Sequence, residues 1–278
     1  MPRSLGARIG IGAAVAGVIA LGGAGVLLFG LTIDETHFDR PSAEFDALRT
    51  EIATVDGVEV VGSERWVEAP TFSDLSSSMS VTVRVDAVPD LLARACESTY
   101  PDAVSWAIEV DTAAETRVSL FSDAAHGCPA IGFDPTPVVA EIDRVAPGVQ
   151  VQAAVMDNGM FSLFAMENGF EELVPLVAQA ETVRDAAELA PGGAVEVAAT
   201  RLGVTVGPGE GPAYAALLTR LIDDYGVTYF SAASGGTPID GVEKVQLAAP
   251  DRNHAAVEAA IAQSALPLTA LPVAFLPE

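Results

Sequence analysis

The chain has 278 residues, half of them hydrophobic, and carries 38 Asp and Glu against 14 Lys and Arg, a net charge of −24. That length holds one large domain or two to three small ones, and the apolar half argues against global disorder. The acidity argues against a general nucleic-acid binder, because affinity for phosphates comes from Lys and Arg, and it disfavours docking of the folded part on anionic lipid.

Residues 1–8 carry Arg3 and Arg8, and residues 9–33 contain no charged side chain. As a helix this stretch would extend about 37 Å, more than the roughly 30 Å hydrocarbon core requires. Positive charge before it and Asp34, Glu35 and Asp39 after it predict a signal anchor with its N-terminus in the cytoplasm. The alternative is a cleaved signal peptide, but a cut near Gly22 or Ala24 would leave Val26-Leu27-Leu28-Phe29 exposed. The expected location is a bacterial cell membrane, with a single pass and a C-terminal ectodomain outside the cytoplasm. Residues 34–278 alone then carry a net charge of −26. Lys244 is the only lysine, an arginine bias that resembles high-GC bacterial coding.

Residues 34–42 read as a stalk. Phe45, Leu48, Ile52 and Val55 follow at helical spacing, with Ser42 placed as the cap. Asp56-Gly57 stops that helix, and Val58-Glu59-Val60-Val61 opens a strand. Further on, Thr136-Pro137 and Pro212 start helices that end before Val149 and Val227. After each helix come a strand, a second strand, a second helix and a closing strand. The closing strands start near Val104, Ala194 and Leu271, which lie 47, 46 and 45 residues beyond Gly57, Gly148 and Gly226. Further strands at 117–121 and 201–206 turn the last two units into a β-α-β-β-α-β order, the split βαβ arrangement. One continuous α+β domain without internal duplication is the alternative.

The α-β-β-α-β order resembles that of BON domains, small modules of the bacterial envelope found singly and in tandem. Val155-Met156-Asp157-Asn158-Gly159-Met160-Phe161-Ser162-Leu163 is similar to that family's glycine turn between strands, and the helix at 171–183 lies where the family has its own. Gly62 has no equivalent turn, and Gly235-Gly236 fall in a longer loop. The resemblance implies non-catalytic attachment in the envelope. The expected fold class is thus α+β: an N-terminal transmembrane helix, then up to three tandem ferredoxin-like or BON-like units at 43–123, 124–200 and 201–278.

Cys96 and Cys128 form an even pair in a chain expected to face an oxidising space, which points to a structural disulfide. Two separate buried thiols are the alternative, and the pair with His126 is too small a set for zinc. His37 and His254 are expected in solvent, and no Gly-x-Ser-x-Gly elbow occurs. Ser76-Ser77-Ser78 reads as a polar loop. Gly207-Pro208-Gly209-Glu210-Gly211 lacks the Lys-Ser/Thr of a phosphate loop and reads as a strand-to-helix linker. Glu171-Glu172 and Asp223-Asp224 do not converge as calcium ligands. Trp66 and Trp106 are expected in the core; an exposed Trp66 would instead mark a ligand platform.

No cofactor, metal or catalytic constellation is expected. The expected function is binding or scaffolding in the cell envelope, with an envelope protein or cell-wall component as partner, no nucleic acid, and membrane contact through residues 9–33. The alternatives are an extracytoplasmic enzyme using carboxylates on an envelope substrate, and a sensor ectodomain.

Overall fold

The computed structural model describes residues 37–68, 75–165, 169–232 and 242–276. Ser42 begins the first helix, α1 (Ala43–Ile52), its hydroxyl accepting from the Phe45 N–H at 3.3 Å. Phe45, Leu48 and Ile52 form its buried face. A short strand, β1 (His37–Asp39), precedes it, and β2 (Val58–Glu68) and β3 (Leu75–Arg84) follow as an antiparallel pair. Then α2 (Val88–Cys96) carries the chain to β4 (Val104–Asp111), which lies parallel to β3.

That step recurs along the chain: an antiparallel hairpin, then a helical crossover to a parallel strand. The second pairs β4 with β5 (Arg117–Ala125) and crosses through α3 (Pro135–Val145) to β6 (Gln150–Val155). The third uses β7 (Phe161–Ala165), α4 (Val174–Ala178), α5 (Ala180–Ala186) and β8 (Val195–Ala199). The fourth uses β9 (Leu202–Val206), α6 (Gly211–Tyr225) and β10 (Tyr229–Ala232). The fifth uses β11 (Val245–Ala248), α7 (His254–Gln263) and β12 (Val273–Phe275). Proline occupies the first turn of α2, α3, α4 and α6, where its missing N–H costs nothing.

The twelve strands among the described residues form one sheet in which each strand's neighbours are its neighbours in sequence. This overturns the expected three tandem units. A split βαβ would separate consecutive strands, and none are separated here. The expected boundary after residue 123 falls inside β5, and that after 200 falls in the β8–β9 hairpin. The hairpins start at 58, 104, 150, 195 and 229, so the first four are 46, 46 and 45 residues apart. The spacing that suggested a closing strand is therefore the period of a shorter β-β-α repeat.

Residues 37–39, expected in a stalk, pair with β2 as β1. No helix among the described residues is long and apolar enough to cross a membrane. The expected anchor at 9–33 lies outside the described residues. Single-pass membrane anchoring, and the location inferred from it, thus lose their support and are withdrawn.

One face of the sheet carries the core. Val81, Ile108 and Leu120 align across β3 to β5, and Ala153, Leu163, Val197, Val204 and Ala232 align across β6 to β10. All are buried, and they belong to one continuous cluster with the apolar faces of the helices. The helical crossovers pack side by side above that face, with α3 against α5, α4 against α6 and α6 against α7. Close approach dictates Gly211, the first residue of α6: a Cβ there would meet the carbonyl oxygens of Ala178 at 2.7 Å and Val177 at 2.8 Å. Gly226 ends α6 at φ +66°, in the left-handed conformation that glycine adopts without strain.

Candidate binding face

The opposite face of the sheet has no layer over it among the described residues. Its side chains follow from the two-residue period of a strand. In β3, Ser76, Ser78, Ser80 and Thr82 alternate with buried Ser77, Met79, Val81 and Val83. In β4, Ser105, Ala107 and Glu109 alternate with buried Trp106, Ile108 and Val110. One lateral row runs from Glu59 through Thr82, Glu109, Ser119, Gln152 and Phe164 to Ala274 on the last strand.

Three large apolar side chains break the polarity of this face. Val61 is 60% exposed, Phe121 55% and Phe164 40%. A register shift between Val60 and Gly62 places Val61 in a bulge. Val61 and Phe121 bound a shallow trough whose floor includes Ser80, Thr82, Ala107 and Glu109. Sequence reasoning missed all three, although a signal existed. Phe121 follows Leu120 and Phe164 follows Leu163, so one member of each pair must leave the core face of its strand.

The tryptophans divide between the faces. Trp106 is 3% exposed in the core. Trp66 pairs with Ser76 on the open face and is half-buried, so only one of the two fits the expectation of core. Beside it, Arg65 turns to the other side and donates to the Tyr100 hydroxyl at 3.0 Å, to Asp102 at 3.1 Å and to the Arg40 carbonyl. Burial opposes the Arg65 charge, but the bonds to Asp102 and Tyr100 outweigh it and raise its pKa. The buried Ser77 hydroxyl meets the same Tyr100 oxygen at 2.8 Å. The serine triplet is therefore part of β3 rather than a loop, and its middle member is committed to a structural network.

The remaining motifs also have structural explanations. The Sγ atoms of Cys96 and Cys128 lie 2.06 Å apart, a disulfide joining the end of α2 to the loop between β5 and α3. The His37 side chain lies outside the described residues, and His126 is exposed on that same loop. His254 departs from expectation: its ring stacks on Phe275 at 3.6 Å and its Nε2 meets the Ala249 carbonyl at 3.0 Å. In the glycine-rich linker, the Gly207 N–H donates to Glu210 and the Gly209 N–H to Glu181. Carboxylates of the chain itself thus fill the places a phosphate would take.

Among the described residues no group of three or more His, Cys, Asp or Glu could hold a metal ion. Glu172 accepts from the Gly169 N–H, and Asp224 faces Arg220 at 3.9 Å. Hydrogen bonds hold three carboxyls below the usual range: Ser42 acts on Glu44, Arg84 on Asp86 and Arg144 on Glu141. Tyr214 moves the other way, pushed up to about 12 by burial and then by the nearby Glu210 charge.

No protein-family model matches the chain, and no curated protein or solved structure matches it significantly.

Proposed function

We propose that the chain is a non-catalytic binding or scaffolding protein whose working surface is the uncovered face of its sheet. The observation that carries this reading is that three of the six large apolar side chains exposed among the described residues, Val61, Phe121 and Phe164, share the uncovered face of the sheet. Each keeps 40–60% of its surface in water, which forgoes burial worth roughly 1 kcal/mol apiece that a bound partner would recover.

A photoreactive amino acid placed at position 121 or 164 of the full chain, in the cells that make it, tests the proposal. We expect discrete crosslinked species from both positions and none from position 258 on the outer side of α7. Equal crosslinking from all three positions, or from none, counts against it.

A further inference from the structure

The trough on the open face has a width and a charge that together select an occupant. Val61 on β2 and Phe121 on β5 stand three strand spacings apart, about 14 Å. Between them the surface drops to Ser80 and Ala107, and this lane of small side chains continues along β3 and β4 through Ser78 and Ser105. An α-helix with its side chains measures about 10–12 Å across, so one helix fits lengthwise between the two apolar walls. Along the part of β2 that β1 leaves unpaired, beside the trough, the bulge at Val61 interrupts the regular edge that an added strand would need.

Charge decides the chemistry of that helix. Glu59 and Glu64 lie on either side of Val61 along β2, and Glu109 lies in the floor. None of these three carboxylates has a hydrogen bond or a cationic partner among the described residues. A second copy of this chain, at net charge −24, would bring more negative charge to the face. We propose that the trough docks an amphipathic helix of a partner protein, with an apolar stripe seated between Val61 and Phe121 and Lys or Arg flanking it. The proposal rests on the open-face reading above and specifies the partner's chemistry.

The probe is a synthetic helical peptide with leucines along one face and lysines flanking them, set against an isomer carrying glutamates in place of the lysines. Fluorescence anisotropy with the full chain is expected to show binding of the lysine peptide only, weakening as salt rises. Phe121→Ser is expected to weaken binding at least about tenfold. The triple variant Glu59→Gln, Glu64→Gln, Glu109→Gln is expected to weaken it about tenfold. Asp185→Asn, Asp223→Asn, Glu258→Gln removes as many charges from the helices and is expected to change it less than about twofold. All these side chains lie at the surface, and circular dichroism and thermal unfolding of each variant check that the fold is kept.

No binding, equal binding of the glutamate isomer, equal losses in the two triple variants, or no effect of Phe121→Ser would each overturn the proposal. So would a dimer in sedimentation that Phe121→Ser dissociates, since a second copy would then be the occupant. If the peptide fails while position 121 still crosslinks in cells, the partner's chemistry is wrong and the open-face reading stands. If position 121 gives no crosslink either, both fall.

Discussion

The two faces of β3 and β4 use the same backbone for opposite purposes. Toward the helices these strands present Met79, Val81, Trp106 and Ile108, each at most 3% exposed. Toward solvent, one residue along in each case, they present Ser78, Ser80, Ser105 and Ala107. Serine and alanine are poorer strand formers than the β-branched residues that stability alone would favour. The helix face is therefore composed for packing, and the open face keeps its side chains small between projecting Val61 and Phe121. A strand alternates its side chains every residue, so one chain can satisfy both demands without compromise.

The contrast can be broken most sharply within β7. Phe161 is fully buried, its ring edge-on to Phe133 at 5.5 Å, while Phe164 lies on the open face. Phe161→Ala is expected to cost about 3–5 kcal/mol in denaturant unfolding, and Phe164→Ala about 0.5 kcal/mol or less. Equal losses would mean that the open face is packed as well. Next in size is the disulfide, which closes a separation of 32 residues. Replacing both cysteines with serine should cost about 4 kcal/mol on the chain-entropy model, read as a lower unfolding midpoint.

Tyr214 offers a pH-dependent probe of the helix layer. Its pKa is pushed up from 10 to about 12, so its contribution is complete below pH 10 and is lost as pH rises through 12. The loss is on the order of 2 kcal/mol, and Tyr214→Phe should lack this component of alkaline destabilisation. Gly211→Ala tests the close approach of α6 to the preceding helices. The added methyl meets two backbone carbonyls, and a cost of about 1–3 kcal/mol is expected in thermal unfolding. The smallest effect has the opposite sign: Ser80→Val should stabilise the chain by about 0.5 kcal/mol while weakening capture of the lysine peptide. Stabilisation with unchanged capture would show that the small floor serves no binding purpose.

Much of the element order was legible because its signals are local. Phe45, Leu48 and Ile52 bury one side of α1 at helical spacing, and Ser42 caps it as its chemistry requires. Other boundaries moved: α3 is capped by Asp134, two residues before the expected start at Thr136, and the helix expected at 171–183 breaks at Gln179 into α4 and α5. Strand partnership is a long-range property, and nothing local in Arg117–Ala125 says that β5 bonds to both β4 and β6. That gap let a single 46-residue period pass for the spacing inside a larger unit. The candidate face was harder still, because Phe121 and Phe164 read as ordinary strand hydrophobics until the registers fix which way each points.

Footprinting of side chains with a diffusing radical or carbene, on the purified chain and in the cells that make it, tests the division of the faces most directly. Phe161 and Phe230 should remain unlabelled in both settings. Phe121 and Phe164 should be labelled in the purified chain and protected in cells. Equal labelling of Phe121 and Phe164 in both settings would contradict the account, because the open face would then be as bare at work as it is alone.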